Sequence, residues 1–385
     1  MIVAATVIGL ANGYRRGFWL SSMQYLGLVV GVLIGAVAAQ PVLDSIGITS
    51  PVARPLGAAL VLIICGSLGS SIGYAMGEPI RRRILRTGIH SATDSVAGAV
   101  LSTIGVLAMM WFLGVSFSRG PSQEIAQLIQ KSVVLHEMDS IAPPPPAFLA
   151  KVEGILAGVS FPSVFAGLEP SLPAALPVPA SVNTAGVSLA AQAVVKVTSL
   201  GCGGLVTGSG FSIGDGYIVT NAHVVSGTHD HHVTTPSGDG ANATVVYFDP
   251  NRDFALLYAP GLAVPTLGFG AASRGTEAAV IGYPGGGAEK IEPAVVDGAI
   301  EALGRDIYST NAVTRQVFVI QGIVRPGNSG GPLVDLQGDV LGIVFATSAS
   351  DPDQAYALTD DEIASDVRDV HGRHQIDTTH YACAA

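Results

Sequence analysis

The sequence predicts two structural classes in one chain: an α-helical transmembrane part of about four spans, followed by an all-β domain. Three observations carry this. Mean hydropathy is +0.49 and only 12% of the residues are charged, about half the share of an ordinary soluble domain, so part of the chain suits a bilayer. The charge is also unevenly placed. Residues 1–183 carry 8 acidic and 10 basic residues, and residues 184–385 carry 21 and 9. Finally, from residue 190 the long apolar runs give way to short ones separated by turn residues. An acidic half with no basic stripe argues against nucleic acid as a partner.

The helical part comes first. A bilayer core needs about 20 apolar residues in a helix. Leu56–Gly77 supplies 22 without a charge, Ser95–Phe117 supplies 23, and Phe18–Val42 supplies 25 with one internal polar pair, Ser21–Ser22. Met1–Ala11 is apolar but only 11 residues long, which suits a truncated first span or a short helix lying against the others. Basic loops set the orientation. Arg15 and Arg16 fall between the first two spans, and Arg81, Arg82, Arg83 and Arg86 between the third and fourth, whereas the loop between spans two and three has only Arg54. Loops 12–17 and 78–94 are therefore expected in the cytoplasm, and everything after Phe117 outside it. The anchor is assigned to residues 1–118.

Residues 119–183 read as a linker. Ile125, Leu128, Ile129 and Val133 fall at helical spacing within Pro121–Ser140, which predicts one amphipathic helix. The four prolines at 143–146 end it as a stiff polyproline segment. A second short helix is expected over Ala147–Ala157. The repeated prolines of 161–182 predict an extended spacer.

Residues 184–385 form the all-β domain. "VVKVTS", "TGSGFSIGDGYIVT", "ATVVYF", "FALLYA", "AAVIGY", "QVFVIQ" and "DVLGIVFA" are short runs rich in Val, Ile, Phe and Tyr, bounded by Gly- and Asp-rich turns. That spacing predicts a sandwich or barrel. Helical periodicity returns only in "LTDDEIASDVRDV", where Thr359 and Glu362 have the spacing of a capping box.

Three positions carry chemistry together. His223 follows a strand in "GYIVTNAHVVSG", Asp253 opens "DFALLYA", and Ser329 sits in "IVRPGNSGGPLVD". A serine hydroxyl is a weak nucleophile at neutral pH. It needs an imidazole to take its proton, and the imidazole needs a carboxylate to hold its tautomer. The developing oxyanion needs N–H donors that are already in place. The backbone N–H groups of Gly327 and Ser329 can supply them in a tight turn. Asp249 competes with Asp253, but "DPN" reads as turn chemistry and Asp253 directly precedes the apolar strand.

"TNAHVV", "DFALL", "GYPGG" and "GNSGGPLVD", in the order His, Asp, Ser, resemble the signature blocks of chymotrypsin-fold serine proteases, particularly the trypsin-like and HtrA-like bacterial branch. With four helical spans of the colicin-V-production type, the chain resembles the actinobacterial membrane-anchored periplasmic serine proteases of acid resistance. The resemblance implies a double β-barrel and an endopeptidase without cofactor or metal. It implies His223 as base, Asp253 as its orienter and Ser329 as nucleophile. It further implies protein substrates of the cell envelope and a role in acid or envelope stress. Self-cleavage in the exposed spacer at 158–185 is a separate expectation. Asn328 stands where trypsin-like zymogens carry aspartate, so activation by a newly cut N-terminus is not implied. Ile323, six residues before the serine, is expected at the base of the primary pocket, with Val344, Phe345 and Ala346 beside it, which favours an uncharged side chain before the cleaved bond. Cys65 lies in an apolar run. Cys202 and Cys383 lie near the two ends of the acidic half, as two free thiols or as a pair. The family's disulfide, which ties the ends of the protease domain, favours the pair.

Other readings compete. "GNSGG" also fits the nucleophile elbow of α/β-hydrolases, an esterase reading that requires a helix after Ser329 and partners downstream such as Asp366 and His371. A non-catalytic membrane scaffold whose β-domain binds envelope partners is a third class. "THDHH" at 228–232 suits a solvated loop better than a metal site, and "GYPGGG" lacks the lysine of a phosphate loop.

Overall fold

The computed structural model describes residues 2–47, 53–86, 91–118, 128–129, 132–141, 164–170, 175–202, 204–368 and 375–384. The chain divides into two compact units, Met1–Gly158 and Val159–Ala385.

The first unit is helical. It contains α1 (Ile2–Arg16), α2 (Phe18–Ser45), α3 (Ala53–Arg86), α4 (Ser91–Ser118) and the short α5 (Val133–Ile141). Helix α2 packs along α3, and α1 along α4. Small residues allow the α2–α3 approach: a Cβ at Gly27 or Gly31 would strike the backbone carbonyl of Gly69 or Cys65, the close contact that membrane helices favour. Large apolar side chains such as Val37, Ile63, Ile72 and Ile104 point outward and are exposed, as lipid-facing residues are. Among the described residues three helical stretches, Phe18–Ala39, Gly57–Arg83 and Ala92–Trp111, are long and apolar enough to cross a membrane. Helix α1 has 15 residues, about 22 Å of rise, which is short of a ~30 Å hydrocarbon core. It packs mainly along α4. Buried Asp94 caps the start of α2, accepting from Phe18 N at 2.9 Å, and pairs with Arg81 at 3.2 Å. Of the expected helix over 121–140, residues 128–129 and α5 are helical among the described residues, and Ser132 is not. The polyproline run 143–146 and the expected helix 147–157 lie outside the described residues.

The second unit is all-β apart from short helices. Strands β1 (Val194–Gly201), β2 (Gly204–Gly214), β3 (Tyr217–Thr220), β4 (Thr228–Thr234), β5 (Gly240–Asn242), β6 (Thr244–Asp249) and β7 (Phe254–Tyr258) form one sheet in the order β5-β4-β1-β2-β3-β7-β6. Its two edges, β5 and β6, are one extended run interrupted only at Ala243, whose N–H bonds His231 O at 2.9 Å. The chain itself thus rolls this sheet into a barrel. Strands β8 (Glu277–Gly282), β9 (Lys290–Arg305), β10 (Ala312–Gly322), β11 (Pro332–Asp335), β12 (Val340–Thr347) and β13 (Gln354–Thr359) form a second, closed barrel. Val195, Val197, Ile218, Val233 and Leu257 pack inside the first barrel, and Val280, Val296, Ile320, Leu341 and Ala357 inside the second. A third cluster, including Phe211, Val219, Phe254, Ile281 and Phe345, seals one barrel to the other.

Helices α6 (Ala185–Ala191), α7 (Ala222–Val225) and α8 (Asp360–Arg368) complete the unit. At α8 the expected capping box does not form. Thr359 Oγ1 donates to Gln316 Oε1, and Glu362 accepts from Gln316 N instead. Strand β10 offers these side chains better-placed partners than their own helix does.

The disulfide is present: Cys202 joins Cys383, with Cα atoms 5.7 Å apart. It holds a C-terminal tail that runs across the first barrel, where Ile376 N donates to Val245 O and Gly227 N to Thr378 O. Cys65 is free.

Part of the stretch expected to be an extended spacer packs against the β unit. Val164, Phe165, Ala166 and Leu168 are buried, and Ala166 N donates to Leu303 O on β9 at 2.8 Å. Prolines on both sides obscure a short apolar patch that has no helical or strand period of its own. The compact β unit therefore begins well before residue 184.

Candidate active site

His223 sits on α7, a single turn that directly follows β3, so the barrel wall fixes its position. Asp253 lies between a tight turn and β7. The turn is built by Asp249, whose Oδ1 accepts from Asn251 N and Arg252 N and whose Oδ2 accepts from Arg252 Nε at 2.6 Å. Asp253 is fully buried and adopts φ +60°, a left-handed backbone uncommon outside glycine and found at constrained sites. What holds it is visible. Oδ1 accepts from His223 N at 2.9 Å, Oδ2 faces His223 Nδ1 at 2.7 Å, and its carbonyl accepts from Asn221 Nδ2 at 2.8 Å. Because a carboxylate only accepts, Nδ1 carries the proton, and Nε2 is left as the basic nitrogen.

Ser329 lies on the loop between β10 and β11, and a strand follows it, not the helix of a nucleophile elbow. Of the downstream partners the esterase reading needs, Asp366 is paired with Arg252 at 2.6 Å and His371 lies outside the described residues. The loop is clamped from three sides. Ser209 on β2 donates its N–H to Ser329 O at 2.8 Å and its hydroxyl to Gly327 O at 2.7 Å. Gly285, in the 3-10 turn Pro284–Gly286, donates to Pro326 O at 2.7 Å. On β12, Val344 accepts from Gly330 N and donates to Gly331 O, both at 2.9 Å. Gly327 and Gly330 have φ +99° and +84°, which an L side chain resists.

One residue ties the two barrels together here. Ser209, which bonds the Ser329 loop, also accepts from Thr220 Oγ1 at 2.7 Å through its carbonyl. Thr220 is three residues before His223, so the Ser329 loop abuts the β3–α7 junction. No hydrogen bond joins His223 to Ser329 among the described residues. The Gly327 and Ser329 N–H groups make no backbone hydrogen bond there either, so both donors remain available. Ile323 is 39% exposed, while the side chains of Val344, Phe345 and Ala346 are fully buried on β12.

Sequence reasoning missed Ser209, Thr220, Asn221 and Arg315. Arg315 is buried and donates to Asn251 O at 2.7 Å and Arg305 O at 2.6 Å, bracing the turn that carries Asp253. The histidines of "THDHH" lie on β4 and have separate partners. His229 pairs with Asp230, His232 with Asn242, and buried His231 with Ser199 and Thr378. Burial holds the His231 imidazole down at about 4. Burial also pushes the Glu289 carboxyl up to about 7, and its Oε1 has no hydrogen-bond partner among the described residues.

Two barrels meeting at a histidine–aspartate pair and a glycine-bound serine define a trypsin-like serine protease. Residues 208–343 match the trypsin-like peptidase domain family, and residues 1–143 match the colicin V production protein family. The chain is 33% identical to "Serine protease Rv3671c" of Mycobacterium tuberculosis over 98% of its own length and 96% of that protein's. It belongs to the family of that serine protease. It is also 38% identical to the "Probable periplasmic serine endoprotease DegP-like" of Chlamydia pneumoniae, over 36% of this chain and 28% of that one. The crystal structure of the Rv3671c protease in its active form matches with a TM-score of 0.53 and 39% identity, covering 56% of this chain and 96% of that chain.

Proposed function

We propose that the protease is an endopeptidase acting through Ser329, His223 and Asp253. Asp253 fixes the ring tautomer, so His223 Nε2 takes the Ser329 proton as Oγ bonds to the substrate carbonyl carbon. The oxyanion draws on the Gly327 and Ser329 N–H groups. Collapse breaks the C–N bond, and His223 returns the proton to the leaving amine. Water, deprotonated by the same ring, then cleaves the acyl-enzyme. The observation that carries this reading is the double contact of the Asp253 carboxylate with His223. Ile323 and the β12 residues Val344–Ala346 favour an uncharged side chain before the cleaved bond.

The chain is anchored by its helices, and we place the protease outside the cytoplasm. The arginine-rich loops and the Cys202–Cys383 disulfide support that side, since disulfides persist in oxidising compartments. Envelope proteins, cell-wall hydrolases among them, as substrates and acid or envelope stress as the setting rest on the family resemblance. Self-cleavage within 158–185 is supported by the mostly exposed stretch 175–181. A fluorophosphonate probe tests the chemistry. The full-length chain is expected to label, and Ser329→Ala and His223→Ala are not. Labelling that survives Ser329→Ala overturns the reading.

A further inference from the structure

The loop between β12 and β13 is held from outside the barrels. One end continues from Val344–Ala346. At the other end, Asp353 O accepts from Gly322 N at 2.7 Å, beside Ile323. The loop therefore joins the two elements assigned to the primary pocket. Within it, three donors converge on one carboxylate. Ser348 Oγ reaches Glu169 Oε2 at 2.6 Å, Ser350 Oγ reaches the same oxygen at 2.9 Å, and Ala349 N reaches Oε1 at 2.9 Å. Glu169 precedes these partners by about 180 residues and comes from the stretch read as linker.

Its backbone is well anchored. Phe165 stacks edge-on against Tyr356 at 5.4 Å, and Tyr356 is the register partner of Ala346. Ala166 is bonded to β9, and Leu168 is buried. The segment is thus seated on the pocket strands by apolar contacts, and the carboxylate reaches out to the loop. Both oxygens are used, and hydrogen bonds to a charged acceptor are the strong kind. An amide at this position keeps one acceptor and turns an NH2 toward donors, which then repel it.

We infer that Glu169 is a positioning residue for substrate recognition: the segment 164–170 completes the protease's pocket wall by fixing the 348–353 loop. The inference rests on the triad reading above. Among the described residues no hydrogen bond or ion pair joins Glu169 to His223, Asp253 or Ser329. Its loss should loosen the wall and leave the reacting groups intact.

The test compares Glu169→Gln and Ser350→Ala with the parent, as full-length chains in detergent. It measures kcat and KM on peptides that differ in the residue before the cleaved bond, together with the rate of labelling by a small fluorophosphonate. Glu169→Gln is expected to raise KM by about tenfold and to flatten the preference among apolar residues. Its kcat and labelling rate should stay within about twofold of the parent. Ser350→Ala, which leaves the segment's anchors untouched, should shift KM and preference the same way by a smaller factor. Unchanged KM and preference in both variants overturn the inference. So does a fall of kcat and labelling in parallel with peptide turnover in Ser350→Ala, since that marks general damage. A parent chain that does not label indicts the triad reading instead.

Discussion

The Asp253 carboxylate holds His223 twice, by its backbone N–H at 2.9 Å and by its ring Nδ1 at 2.7 Å. The first contact positions the residue and the second selects its tautomer. Asp253→Asn separates them. Asparagine tolerates the left-handed backbone and can keep an oxygen on the His223 N–H. It then turns an NH2 toward Nδ1, which drives the ring proton to Nε2 and removes the base. Peptide turnover at pH 7 should fall by on the order of 10⁴ with little change in melting temperature. Near-parental turnover would show that the pair is structural.

The proposed oxyanion donors, the Gly327 and Ser329 N–H groups, rest on a backbone that only glycine fits. At Gly327 a Cβ would strike Tyr283 O and the Gly285 and Gly286 nitrogens, all in the turn that clamps the loop. Gly327→Ala must displace the loop and its N–H. The expected result is a loss of about 10²–10³ in kcat with KM little changed. An equal loss confined to KM would place the residue in binding instead.

Much of this site was legible because its pieces are local. A strand, a turn and a one-turn helix around His223 are written in consecutive residues, and so is the glycine turn around Ser329. The strand runs were legible for the same reason, since alternation is a short-range signal. The groups that assemble the pieces are not local. Ser209 meets residues 327–329, Arg315 meets Asn251, and Glu169 meets Ser348–Ser350 across the whole domain. No periodicity encodes such pairings. The packing of the stretch read as linker was not legible, because proline spacing masked Val164, Phe165 and Leu168, whose burial depends on partners elsewhere in the chain. The double barrel came from the family resemblance, and the closure of the first sheet at Ala243 could be seen only once β5 and β6 were in place.

The disulfide closes a span of 181 residues, nearly the whole β unit. In the chain-entropy picture a loop of that size contributes at most about 5 kcal/mol. The tail it holds also supplies Ala382 O to Ser226 Oγ, immediately after α7. Cys383→Ser should lower the melting temperature of the β unit by about 10 °C or more, and Cys65→Ser should leave it unchanged. Equal melting in reducing and non-reducing buffer would show that the cross-link is dispensable for stability.

Two groups shifted by burial pull the pH dependence of stability in opposite directions. His231 sits between Ser199 and Thr378 with its imidazole held down at about 4. Between pH 6.5 and 4 the unfolded chain binds a proton at this position and the folded one does not. Stability is therefore lost as pH falls through that window, by at most about 3 kcal/mol. Glu289 behaves in reverse. Its carboxyl is raised to about 7 by burial, so between pH 7 and 4.5 the folded chain holds the extra proton, and acidification relieves a cost. That relief is the smaller of the two, because solvent reaches part of the group. His231→Gln should flatten or invert the acid-side loss, so that the β unit melts no lower at pH 5 than at pH 7. Glu289→Gln should steepen the loss. Melting curves of the two variants and the parent at both pH values decide it, and identical pH slopes for all three would remove both residues from the account.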